Sequence, residues 1–579
     1  MARLFTRRRV IATVGVVVVV AAIVFIVEAV LAGLALNAAK KDGDQIVAAL
    51  NAGDLESAQA AAHKLEKDAG RARSLTGGPL WWTAAHIPWL GKNLAAFQDT
   101  SQALDAIGSR SLPTLLHLAD EVQNGTLRPR GGRIAPAAIA ALAPEVKRAA
   151  VAIDGPAAKV AQVKASSLLP GISNLMKGVQ ERIGQARTAI DAAADAFQVL
   201  PRVLGGDGPR DYLLLVQNPA EIRASGGLPG TWALLHADRG RLTMTSTTFL
   251  GNLQQESAPT KITAEEAALF GSDFGRIPNE ITATPDFPRA AKIAAAIEKR
   301  RGVNVSAVFS VDPIALAYVL QGTGPVPLRP GVTLTYGNVV PYLMNEIYRL
   351  EDPIAQNDAF ALAAHKTFDA LVKGQGNQVN AIRGLVQAVN RHRVFAWSAD
   401  PELAQVINAQ SLTGAFPADT GTTPQVGIYL NDAMAGKPEY YLKQSASVTA
   451  TSCKSGVQTL KMDASFTSTM PSNAKKLPIW IVGTGEFAPK GDILMNAYLA
   501  APWKGTIESL TVDGKPISIT ANTLNGRQLS IFSLHLKPGQ LITVSATMQT
   551  GPGQTGAGKL TWTPGMGLDP DPATFDSAC

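Results

Sequence analysis

The sequence predicts a multidomain protein: a single transmembrane helix, an all-α helical domain, an α/β core and a C-terminal β-sandwich. Three observations predict this. A charge-free apolar run lies near the N-terminus, helical 3-4 periodicity fills the chain to about residue 200, and after about residue 440 that periodicity gives way to short strands. The chain has 579 residues, more than one hydrophobic core can hold. Apolar residues make up 46% and charged residues 17%. The charged share is low against the roughly 25% of an average soluble protein, so part of the chain avoids water. A net charge of +7 over this length makes no basic field for nucleic acid. Two cysteines exclude a disulfide-dense scaffold and a cysteine-rich zinc site.

Residues 1–9 read as a cytoplasmic stub and 10–36 as the transmembrane helix. The uncharged run Val10 to Val27 would span roughly 27 Å as a helix, close to a hydrocarbon core. Arg3, Arg7, Arg8 and Arg9 precede it and only Lys40 and Lys41 closely follow, which places the N-terminus in the cytoplasm and the bulk outside. A cleaved signal peptide shares the basic start and apolar stretch, but the run is long for one and no clear A-x-A site follows.

Residues 43–200 read as an extracytoplasmic helical domain. Leu55, Ala58, Ala62, Leu65 and Ala69 share a face behind a cap at Asp54, and Ile172, Leu175, Val179, Ile183, Ala186 and Ile190 share another. Trp81, Trp82 and Trp89 crowd around Pro79 and Pro88, either as an inter-helix loop that caps the bundle or as a segment resting on a bilayer surface.

Residues 207–435 read as the α/β core. DYLLLVQ, TWALLHAD and RLTMTST are strands, the last two joined by a turn at Asp238-Arg239-Gly240. Asp286, Pro288, Lys299 and Gly302 mark a helix from start to stop, and Asp312-Pro313 opens another after VSAVFSV. Residues 440–579 read as the β-sandwich, with strands punctuated by Gly, Pro and Asn. Cys453 and Cys579 both fall there, and in an oxidising compartment a disulfide is favoured over two free thiols.

Familiar catalytic motifs are missing or broken. GQTGAGKL (553–560) lacks the Ser/Thr of a phosphate-binding loop and leads into a strand, and GTGPVP (322–327) has Pro327 where a dinucleotide fingerprint needs glycine. There is no G-x-S-x-G and no H-E-x-x-H. The densest cluster is QNPAEIRASGGLPGTW, Gln217 to Trp232, between two strands. Arg223 offers a planar fork suited to phosphate, while Asn218, Glu221, Gly226 and Gly227 shape the loop around it. The competing reading is a tight connection in which Arg223 pairs with Glu221. Asp286, Asp312 and Asp352 read as helix caps, Arg349 as the end of a helix, and His365 as structural.

YLLLVQNPAEIRASGGLPGTWALL, FGRIPNEITATPDFPRAAK, GVNVSAVFSVDPIALAYVLQGTGPV and PQVGIYLNDA resemble the membrane-anchored family of domain of unknown function 4012, over about residues 207–435. The order of elements is more faintly similar to the LytR-CpsA-Psr phosphotransferases, which move a glycopolymer from a polyprenyl pyrophosphate onto peptidoglycan. That likeness implies a LytR-CpsA-Psr-like core and places Arg223 and Arg349 near a pyrophosphate. The chain departs from it where Gly226 or Gly227 stands in place of the magnesium-binding aspartate.

The expectation is therefore a cell-envelope protein whose core binds a glycopolymer or its polyprenyl-phosphate carrier through Arg223, Arg349, Asn218, Glu221, Gly226 and Gly227. No cofactor or metal is expected, and a divalent metal enters only with an active phosphotransferase. A non-catalytic structural or adhesive protein acting through its β-sandwich is the main alternative. Expected partners are the lipid bilayer and the glycan or its carrier, with no nucleic acid.

Overall fold

A computed structural model describes residues 2–52, 54–85, 87, 91–350, 353–409, 412–566 and 573–579. The side chains of residues 2–23 lie outside the described set, as do Pro88, Trp89 and Asp352. The chain divides into two compact units, Met1–Pro129 with Ala135–Arg202, and Arg130–Ile134 with Val203–Cys579.

The first unit is helical: α1 (Ala2–Ala52), α2 (Leu55–Thr76), α3 (Pro79–Ala85), α4 (Gly91–Ala106), α5 (Leu112–Gln123), α6 (Pro136–Gln162) and α7 (Pro170–Val203). Asp54 caps α2 by accepting the Ser57 amide at 3.0 Å. The small side chains Ala58, Ala62 and Ala69 let helices approach closely, and they share one core with Leu36, Ile153, Ile183 and Ile190. Trp81 is buried between Phe25 and Phe97, whereas Trp82 is 65% exposed.

The expected single transmembrane helix at 10–36 is corrected here. Among the described residues no helix is long and apolar enough to cross a membrane. The physical reason lies in α1 itself, which runs unbroken to Ala52. Ala32, Ala35, Leu36 and Ala39 are buried on the other helices of the unit, so the second part of the apolar stretch is a bundle face. Among the described residues the fold is one of mixed helices and sheets, without the expected span.

The second unit opens with β1 (Arg210–Asn218), β2 (Leu228–Asp238) and β3 (Arg241–Phe249), followed by α8 (Ala264–Phe270), α9 (Phe287–Arg300), β4 (Ala307–Val311) and α10 (Pro313–Thr323). A small hairpin, β5 (Val326–Arg329) with β6 (Val332–Leu334), leads to α11 (Val339–Met344), α12 (Pro353–Val372), α13 (Gln378–Asn390), β7 (Val394–Ser398), α14 (Pro401–Ala409) and β8 (Gln425–Asp432). The core sheet has the order β3-β2-β1-β4-β7, with β1 and β4 parallel and the other pairs antiparallel. Alternation along β1 sends Leu213 and Leu215 to Phe287, Ala290 and Ile297 of α9, and sends Tyr212, Leu214 and Val216 to the face that carries Phe360 and Ala364 of α12. Arg239 and Gly240 turn β2 into β3 with φ of 47° and 83°.

Two aspartates at helix starts behave differently. Asp312 caps α10 by accepting the Ala315 amide at 2.8 Å, whereas the Asp286 carboxylate reaches the Phe416 amide at 3.2 Å and caps nothing. Helix α13 ends in a Schellman pattern, the Arg393 amide bonding Ala388 O and the His392 amide Val389 O. His392 fills the left-handed position with φ 54°, where glycine is cheaper by roughly 1 kcal/mol.

The remaining strands are β9 (Leu442–Lys454), β10 (Val457–Ser468), β11 (Ile493–Ala500), β12 (Thr506–Val512), β13 (Lys515–Pro516), β14 (Asn522–Leu524), β15 (Arg527–Leu536), β16 (Leu541–Gln549), β17 (Gly558–Trp562) and β18 (Ala573–Phe575), with the one-turn helix α15 (Ile479–Val482) before β11. They form two sheets, β13-β12-β16-β10-β9 and β14-β15-β11-β8-β17-β18. Leu460, Met462, Ala464 and Phe466 of β10 meet Met495, Ala497, Leu534 and Leu536 across their interior. Strand β8, read from sequence as part of the α/β core, lies inside the second of these sheets, antiparallel to β11 and parallel to β17. Val426, Ile428 and Leu430 explain this, because they face the interior of the paired sheets. Cys453 and Cys579 form a disulfide with their Cα atoms 5.1 Å apart.

Candidate functional site

The 217–232 loop leaves β1 and re-enters the sheet as β2. Its backbone is stitched on all sides. The Gly226 amide bonds Arg223 O at 2.7 Å, the Ser225 amide bonds Thr282 O at 3.1 Å, and Thr282 Oγ1 donates to Gly227 O at 3.0 Å. Asn431 of β8 accepts the Ala224 amide at 2.9 Å and donates to Ala283 O at 2.9 Å. The glycines serve packing. Gly226 has φ 123°, and a Cβ on Gly227 would lie 2.4 Å from the Asn218 carbonyl carbon. No aspartate fits at either position, so the metal ligand of the phosphotransferase likeness has no place here. Among the described residues no group of three or more His, Cys, Asp or Glu is placed to hold a metal ion.

Arg223 is 8% exposed. Its Nη1 donates to the Asp432 carbonyl at 2.8 Å and its Nη2 to Glu280 Oε1 at 3.1 Å, while Nε has no partner. Glu280, 57 residues away, takes the place that the sequence reading gave to Glu221. Glu221 instead pairs with Lys437 at 3.2 Å, and Lys437 lies 4.5 Å from the centre of the Tyr348 ring. Asn218 donates to Glu221 and to the Tyr348 hydroxyl, which braces the loop from below.

Beside Arg223 opens a cleft of about 580 Å³. Glu221, Arg223, Glu280, Asn431, Asp432 and Asn496 supply its polar wall, and Phe270, Tyr498 and Phe487 supply rings. Phe487 is 59% exposed. Gly226 and Gly227 do not line the cleft, and neither does Arg349. Arg349 is exposed and donates to Asn345 Oδ1 at 3.3 Å, so the structure does not bring the two expected arginines onto one ligand.

The cleft is acidic. Burial works against the Arg223 charge, but Glu280, Asp432, Glu221 and Glu439 together outweigh it and hold the guanidinium protonated. Burial pushes the Asp432 carboxyl up to about 7 despite the pull of Arg223. Glu439 is 1% exposed and neither of its oxygens bonds another residue. Burial first, and the Asp432 charge second, raise it well above the carboxylate range. An acid able to give up a proton near neutrality therefore stands beside an ion-paired carboxylate. The sequence reading missed Glu280, Asp432, Glu439, Phe487 and Tyr498, which no spacing connects to Arg223.

No curated protein and no solved structure matches the chain, and the fainter likeness to the LytR-CpsA-Psr phosphotransferases gains no support. A family model matches from before β1 to Tyr348, which takes in Asn218, Arg223 and Glu280 but stops short of Asp432. The stretch matched, residues 207–348, is similar to the family described as protein of unknown function (DUF4012).

Proposed function

We propose that the second unit is a glycan-binding module of the cell envelope, acting outside the cytoplasm, and that its acidic cleft holds an uncharged stretch of the polymer. The observation that carries this reading is the pairing of an exposed ring, Phe487, with a wall of carboxylates and amides in one open cleft. Aromatic faces cover the apolar C–H faces of a sugar, while carboxylate and amide groups satisfy its hydroxyls. A phosphate is disfavoured at this position, because Arg223 is already paired with Glu280 and bonded to the Asp432 carbonyl, with Glu221 also close by. The Cys453–Cys579 disulfide supports an oxidising compartment.

The test is a glycan array followed by calorimetry on the full chain. A neutral oligosaccharide should bind, and Phe487→Ala or Asn496→Ala should weaken it about tenfold or more with an unchanged melting temperature. Absence of any bound neutral glycan, or equal affinity in both variants, overturns the reading. One observation favours the structural alternative: Arg223 and Asn431 tie the loop to β8. That alternative expects Phe487→Ala to change nothing.

A further inference from the structure

On the other side of the same loop, Ala224 and Ser225 wall a second cavity, of about 100 Å³. It has room for several water molecules or for a phosphate group with part of a ring. Its basic lining is Arg391, His392 and Arg393, with no Asp or Glu among the lining residues. Phe395, Tyr429 and Trp562 give it aromatic walls. Arg393 is already balanced by Asp312, at 3.1 Å with both side chains almost fully buried.

Arg527 adds a further charge behind Tyr429. It is 1% exposed, and its Nε and Nη2 donate to the carbonyls of Ala501 and Gln425, each at 2.8 Å. Among the described residues no carboxylate pairs with it. Burial pulls it down to about 10, which leaves it charged at neutral pH. A guanidinium that is buried without a counter-ion makes the wall in front of it attractive to an anion.

His392 supplies the independent structural clue. The Schellman position at the end of α13 is one where a side chain strains the backbone, yet a histidine is held there and borders the cavity.

We propose that this cavity binds the phosphate ester of a sugar, with the anion against Arg391 and His392 and the ring against Trp562 and Tyr429. The proposal stands apart from the neutral-glycan reading, since it involves other residues and a charged ligand. Its shared chemistry, a phosphorylated ring, is carried by free sugar phosphates and by lipid headgroups.

The experiment is calorimetry on the full chain with glucose 1-phosphate and with glucose, alongside co-sedimentation with phosphatidylcholine vesicles with and without phosphatidylinositol. Glucose 1-phosphate should bind where glucose does not, or vesicles with phosphatidylinositol should bind where vesicles of phosphatidylcholine alone, whose zwitterionic headgroup carries no ring on its phosphate, do not. Response to the soluble ester identifies a free ligand, and response to the vesicles alone a lipid-borne one. Arg391→Gln should weaken binding by about tenfold or more. His392→Gly should weaken it too, while leaving the melting temperature equal or higher, because glycine relieves the left-handed backbone. No binding of either phosphorylated probe, or unchanged affinity in both variants, overturns the proposal, whatever the outcome with neutral glycans.

Discussion

The two faces of the 217–232 loop have opposite electrostatics. On the Arg223 face a single guanidinium is outnumbered by Glu221, Glu280, Asp432 and Glu439, while on the Ser225 face Arg391, His392 and Arg393 line a cavity without an acidic side chain. Adjacent residues of one loop thus look into environments of opposite sign, and the loop's own composition determines neither. Long-range partners do: Glu280 from the segment before α9, Asp432 from the end of β8, and His392 from the end of α13. A basic residue in a glycine-rich loop is therefore no guide to the charge of the ligand beside it.

Three substitutions can break or sharpen that contrast. The largest effect is expected for Arg223→Met, which leaves Glu280 and the buried carboxyls without their cation. Breaking a buried pair costs about 3–5 kcal/mol, and the lower end applies because Glu280 is a third exposed. Chemical denaturation should show a loss of about 3 kcal/mol, while sugar-phosphate binding on the far face survives in the folded fraction. Gly227→Ala comes next. The new methyl group meets the backbone of Asn218 and Pro219, which cannot swing aside, so a loss of about 2 kcal/mol and weakened binding on both faces are expected.

The smallest effect belongs to Glu439→Gln, and it depends on pH. Asp432 and Glu439 titrate above their unfolded values, so they favour the folded state at acid pH and lose that contribution as the pH rises through the folded values. The wild type should lose stability between about pH 5 and about pH 8. The variant should match it at the acid end and melt about 2 °C higher at the alkaline end. Parallel melting curves at both ends would show that Glu439 is not a buried acid.

Much of the fold was legible because local chemistry decided it. The Asp54 and Asp312 caps, the turn at Arg239-Gly240 and the alternation of β1 all follow from neighbours a few residues apart. The apolar N-terminal run was misleading because a bilayer and a helical bundle ask for the same residues. Past Val27 the burial of Ala32, Leu36 and Ala39 on neighbouring helices marks a bundle face, while the side chains of residues 2–23 lie outside the described set. The site was half legible. Arg223 and its loop stood out, but the ion pair to Glu280 and the bond to the Asp432 carbonyl span 57 and 209 residues, and no periodicity records such contacts. Phe487 looked like any apolar residue until its exposure was known.

Strand β8 decides how far the molecule can be divided. It closes the cleft with Asn431 and Asp432, yet both of its edges are occupied by strands from the last hundred residues, β11 and β17. A fragment trimmed to the family-matched stretch would lack half of the cleft wall. One trimmed just after residue 435 would expose two bare strand edges and invite aggregation. The cleft and the C-terminal sheets are therefore inseparable: the wall is complete only where β11 and β17 hold β8 in place.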